Sequence, residues 1–200
     1  MNVRINRRCA KPSVDQLESR SLLSALTITV NSLLDNPSGP VKGQTTLRDA
    51  INTADAHTNN SYTIKFAVDG TIALTHALPN LPNNTTIQGP GTTKLVVDRV
   101  STAPDFSIFT VNKGVIDTIS GLTITGGDSG SGGNVVNNGY LTVNDCTITN
   151  GSGWTGGGIT NSGSGTLIVN TCTIANNSAQ YGSGVYSDGM LTVYDSTFSQ

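Results

Sequence analysis

From Ile116 onward the chain matches itself at a shift of 24 to 26 residues, and this internal period narrows the fold more than any other feature. Ile124, Ile148, Ile174 and Phe198 form one apolar column with spacings of 24, 26 and 24. Val143, Val169 and Val193 form a second column at 26 and 24, and Val135, Ile159 and Val185 a third at 24 and 26. Each unit reads as a strand (CTIT at 146–149, CTIA at 172–175), a polar turn, a second strand opened by small residues (GGGIT at 156–160, GSGVY at 182–186) and a third strand (LIV at 167–169, LTV at 191–193). Three short strands in such a unit cannot bury their apolar sides alone, so the units must stack. The predicted fold is all-β: a three-sided, right-handed parallel β-helix with coils of 24–26 residues. Equivalent residues on coils about 4.8 Å apart then form interior ladders.

The same period aligns Leu122, Cys146, Cys172 and Ser196, two residues before the isoleucine column and therefore on its inward side. Buried thiols acting as small apolar groups are the simple expectation; a disulfide between adjacent coils also suits stacked Cα atoms. Composition agrees with a strand-and-turn protein. Only 12% of residues are charged and 36% hydrophobic, against about 25% and 45–50% in ordinary globular domains, and Glu18 is the single glutamate. Helix bundles and doubly wound α/β folds need more Glu, Lys, Ala and Leu than this.

The net charge of −2 conceals a basic start, with Arg4, Arg7, Arg8, Lys11 and Arg20 all in the first 24 residues. No basic patch follows, so no nucleic-acid partner is expected. No run approaches the ~18 apolar residues of a membrane-spanning helix. Residues 1–25 read as an export leader, 26–113 as an N-terminal cap with the first irregular coils, and 114–200 as regular repeats. Within the cap, strand patterns at 26–30, 62–66, 71–74, 95–97 and 106–111 surround one helical pattern. It begins at Thr46, three residues before Asp49 in a capping-box spacing, and puts Leu47, Ile51 and Ala54 on one face. Such a helix suits a lid over one end of the stack. Nothing comparable follows Phe198, so the last coil is expected to be uncapped and to self-associate.

Three segments resemble known families. PSVDQLESRSLLS (12–24) resembles the LEPR-XLL motif of large exported bacterial surface proteins. The stretch from Leu26 is similar to the CSLREA-type domain, with TTLRDAINTA (45–54) at its core, Asp49 standing for Glu, and YTIKF at the following strand. ISGLTITGG (119–127), GGGI (156–159) and TIANNSA (173–179) are similar to the repeats of polymorphic outer membrane proteins, with Ile174 in the Phe place and Asn177 three residues on. The resemblance implies a secreted or cell-surface β-helix, often adhesin-like, and no catalytic centre.

Residues 114–200 contain no Lys, Arg, His or Glu, which leaves a polysaccharide lyase without its base on the regular coils. A glycosidase needs two carboxyl groups, and Asp145 and Asp195 share a column two coils, or about 9.6 Å, apart, within reach of an inverting geometry. Aspartates 117, 128, 145, 188 and 195 are the oxygen ligands available to Ca²⁺, but they are scattered, and no cofactor is required. Trp154 and Tyr181 are the large aromatics of the turns before the small-residue boxes, about one coil apart, where they suit a sugar ring or a protein partner. The expected protein is an exported, extracellular or surface-held scaffold that binds glycan or protein without catalysis. A polysaccharide-active enzyme and a purely structural stalk are the alternatives.

Overall fold

The computed structural model describes residues 25–57 and 59–200. The leader assigned to 1–25, with Cys9, lies outside the described residues apart from Ala25. The first turn of the stack consists of β1 (Leu26–Val30) and α1 (Leu47–Asp55). The next two turns supply β2 (Tyr62–Phe66) and β3 (Gly70–Leu74), then β4 (Thr85–Gln88), β5 (Leu95–Arg99) and β6 (Phe109–Val111). Three regular coils follow: β7 (Ile116–Ser120), β8 (Thr123–Thr125), β9 (Asp128–Ser129) and β10 (Val135–Asn137); β11 (Tyr140–Asn144), β12 (Thr147–Thr149), β13 (Ser152–Thr155) and β14 (Ile159–Asn161); β15 (Thr166–Asn170), β16 (Thr173–Ala175), β17 (Ser178–Tyr181) and β18 (Val185–Ser187). The last turn holds β19 (Met190–Tyr194) and β20 (Thr197–Ser199).

Strands pair in parallel with the equivalent strand of the neighbouring turn, which makes the molecule a parallel β-helix. The first face runs β1-β2-β4-β7-β11-β15-β19, the second β3-β5-β8-β12-β16-β20, and the third β6-β10-β14-β18. Strands such as Thr147-Ile148-Thr149 turn threonine outward and isoleucine inward, as β-branched residues on a half-buried strand do. The predicted columns are the observed ladders. Ile124, Ile148, Ile174 and Phe198 are in register on the second face, and Ile72 and Val97 extend them toward the N-terminus. On the first face Val143, Val169 and Val193 continue back through Ile119, Ile87, Ile64 and Ile28. One apolar core therefore spans both the cap and the regular repeats.

The helix caps itself as its spacing suggests. The Thr46 hydroxyl accepts from the Asp49 amide at 3.1 Å, and the Asp49 carboxylate accepts from the Thr46 amide at 3.1 Å. Leu47, Ile51 and Ala54 are all buried in the core, so its apolar face is spent on the end of the stack rather than offered to a partner. At the other end Leu191, Val193 and Phe198 are 39%, 40% and 47% exposed, whereas their neighbours Leu167, Val169 and Ile174 are buried.

Two features depart from the three-strand unit. Segments read as polar turns, around Ser152 and Ser178, are short strands, and β9, β13 and β17 form a fourth, three-stranded sheet. Their side chains gave no apolar alternation to signal it. Buried asparagines also bridge coils at the corners. Asn137 and Asn161 are in register, and the Asn137 amide donates to Asn161 Oδ1 at 2.7 Å while Asn161 donates to Ser187 Oγ at 2.9 Å. Asn134 and Asn177 accept the Gly127 and Gly151 amides, each at 2.9 Å. These side chains satisfy backbone groups that the corners release from the sheets. The two-residue difference between coils falls in the turn at 162–165, between β14 and β15.

Cys146 and Cys172 are free thiols, both buried. Each donates to a carbonyl two residues back, of Asn144 and Asn170 respectively, at 3.2 Å. Contact with Cys172, together with burial, pushes the Cys146 thiol above its ordinary range. Burial of both sulfurs should make the two cysteines react with maleimide about a hundredfold more slowly in the native protein than in denaturant. Labelling at the unfolded rate, or a disulfide found by mass, would contradict this placement.

Candidate functional site

The corners of the coils decide which side chains leave the stack. Between the first and second faces, one residue per coil takes a left-handed conformation: Gly121, Asp145 (φ 50°), Thr171 (φ 54°) and Asp195 (φ 43°). Asp tolerates this region better than most residues, which gives Asp145 and Asp195 a conformational role. Both are exposed at their corner, with Thr171 on the coil between them. The other candidate calcium ligands are dispersed. Asp117 is buried in register with Leu141, Asp128 lies beside Arg99, and Asp188 accepts the Tyr186 hydroxyl at 2.9 Å. Among the described residues no group of three or more His, Cys, Asp or Glu is placed to hold a metal.

The second row of corners, at Gly126, Asn150 and Asn176, is also left-handed and launches the fourth sheet. Along β13, Ser152 and Trp154 are the exposed residues while Gly153 and Thr155 are half-buried, so the serine hydroxyl and the indole share one face. Tyr181 stands on β17 opposite Thr155. Its ring meets that of Trp154 edge to face, with centroids 6.0 Å apart and planes at 67°. The two aromatics stay 58% and 50% exposed, forming a ledge on the short sheet. The two rings stand on adjacent strands one position out of register, and their contact is made at the C-terminal ends of β13 and β17.

Beside the ledge opens a polar cleft of about 480 Å³, to which Asp98, Asp128, Asn150 and Ser152 contribute. Arg99 underlies it, only 7% exposed. Its Nε donates to the Gly126 carbonyl at 3.1 Å, and its Nη1 to the Ala103 and Val100 carbonyls at 2.8 and 3.3 Å. Nη2 lies 3.4 Å from Asp128 and 3.6 Å from Asp105, and the guanidinium carbon is 5.9 Å from the Phe106 ring centroid. Partial burial pushes the Asp98 carboxyl above its usual range, and the Arg99 charge only partly opposes it. Asn150 donates to Thr125 Oγ1 at 3.3 Å, which fixes the amide at the cleft wall.

Sequence reasoning named Trp154, Tyr181 and Asp128 but not the cleft. Asp98 and Asn150 come together only because β5, β8 and the Asn150 corner stack, and Asp98 lies in the irregular region where the period is hidden. Comparison with protein-family models, curated proteins and solved structures finds no match for the chain.

Proposed function

We propose that the chain is a non-catalytic glycan-binding scaffold of the cell surface or extracellular space. The observation that carries this reading is the Trp154–Tyr181 ledge beside a cleft of carboxylate, amide and hydroxyl groups. Sugars present an apolar ring face edged by hydroxyls, and an exposed aromatic next to fixed polar groups complements both features. The rigid stack supports it, since both rings stand on paired strands rather than on a loop. The likeness of the N-terminal and repeat segments to exported surface proteins agrees with the surface location. A purely structural stalk would have no use for two half-exposed rings held together, and a glycosidase built on Asp145 and Asp195 would need one of them to act as an acid from an exposed corner.

Trp154 is the only tryptophan, so its fluorescence reports the site alone. Glycan arrays should identify binders, whose titration should shift Trp154 emission, and Trp154→Ala should weaken binding by about tenfold or more. Protease accessibility on intact producing cells checks the surface placement. An array without hits, or a Trp154→Ala variant that binds unchanged, would overturn the reading. Release of reducing ends from a bound glycan would identify an enzyme instead.

A further inference from the structure

The charge balance of the cleft indicates which sugars it accepts. A guanidinium has five N–H donors. In Arg99 three of them, from Nε and Nη1, donate to the carbonyls of Gly126, Ala103 and Val100, and Nη2 already faces the carboxylates of Asp128 at 3.4 Å and Asp105 at 3.6 Å. The one cation lining the cleft is therefore largely spent on the protein, its charge faced by two carboxylates of its own chain. Asp98 is the opposite case. Its carboxylate has no hydrogen-bond or ion-pair partner among the described residues, although it is partly withdrawn from water. Gly126 leaves the space before it open, because a Cβ there would stand 2.5 Å from Asp98 Oδ1. In register with Asp98 is Thr125, whose hydroxyl is already engaged by Asn150.

We propose that this cleft selects amino sugars, taking the protonated amine of a hexosamine on Asp98, and that it rejects acidic sugars. The proposal rests on the glycan-binding reading and specifies its ligand class. An ammonium group at Asp98 forms a charge-assisted hydrogen bond and neutralises a carboxylate that the protein leaves alone. Asn150 and Ser152 line the same cleft and meet ring hydroxyls, and Trp154, two residues along β13 from Ser152, receives the apolar face of the next ring, about 7 Å away. A uronate would meet the carboxylates of Asp98 and Asp128, with an Arg99 whose charge already faces Asp128 and Asp105. An N-acetylated sugar would lose the ion pair and keep the rest.

The test compares three tetrasaccharides by Trp154 fluorescence and calorimetry near pH 6, where the amine is charged: β-1,4-linked glucosamine, its fully N-acetylated form, and galacturonate. The glucosamine tetramer should bind about tenfold more tightly than the acetylated one, and the galacturonate should not saturate. Asp98→Asn should reduce the preference to about twofold or less, and raising salt from about 0.05 to 0.5 M should weaken glucosamine binding while leaving the acetylated form nearly unchanged. The salt series needs no variant and stands even if Asp98→Asn folds poorly. Equal affinity for the charged and the acetylated tetramer, or tightest binding of galacturonate, overturns the amino-sugar proposal while glycan binding survives. Binding of none of the three, with an array lacking any hit, overturns both.

Discussion

Asp117→Asn is expected to stabilise the chain by about 4 kcal/mol near pH 8 and by almost nothing near pH 4. Asp117 occupies the interior column that continues as Leu141, Leu167 and Leu191. One of its oxygens accepts the Thr85 amide at 3.0 Å, but Oδ2 is buried without a partner, as is the neighbouring Thr85 hydroxyl oxygen. Burial outweighs the Thr85 bond and pushes the carboxyl from 3.8 up to about 7. The folded chain thus holds this proton more tightly than the unfolded one. Below about pH 4 both states are protonated and the residue costs nothing; the cost grows as pH rises and is complete above about 7. Asparagine keeps the acceptor for Thr85, supplies a donor, and never ionises. Urea denaturation from pH 4 to 8 should show wild type losing stability relative to the variant, and near pH 8 the melting temperatures should differ by about 10 °C. Parallel pH curves for the two proteins would show that Asp117 is not a buried, uncompensated carboxyl.

Gly156→Ala should cost about 3 kcal/mol or more, whereas Gly130→Ala should change stability by less than about 0.5 kcal/mol. Gly156 has φ +52°, and a Cβ there would run into the Ile159 carbonyl oxygen and the Thr160 hydroxyl. That tight corner carries the chain from the aromatic ledge into the third face. Backbone on the far side cannot swing away as a long side chain would, so strain and collision add. At Gly130 the φ is ordinary and nothing lies within 4 Å of the added carbon. Equal denaturation midpoints for the two variants would mean that the corner rearranges freely.

The regular coils were legible because Ile, Val and Leu recur there at nearly constant spacing, and a ladder needs nothing else. Before Ile116 the same ladder exists through Ile28, Ile64 and Ile87, but α1 and the loop between β5 and β6 make the rung spacings 36, 23 and 32 residues. β4 was missed for that reason. The fourth sheet escaped because Ser152, Gly153 and Ser178 form strands by lying between stacked corners and carry no apolar pattern of their own. Trp154 and Tyr181 were visible as the large aromatics before the small-residue boxes of successive coils, one position out of register. The Asp98 cleft was not, since its walls come from positions separated by the irregular loop around Arg99 and Asp105. Nor was Asp117, where a polar residue interrupts a leucine column: its inward position is clear only once the register with Leu141 is known.

The two-residue bulge at 162–165 leaves every ladder around it intact, which shows where the stack tolerates length and where it does not. Tension applied along the axis would act on such a stack as on pages bound at three edges, because the hydrogen bonds between coils lie along the pull. Coils would then peel away singly from an end, each turning about 4.8 Å of height into roughly 80 Å of slack chain. A scaffold of this kind can lengthen many times over while its inner coils, and the ledge they carry, keep their shape.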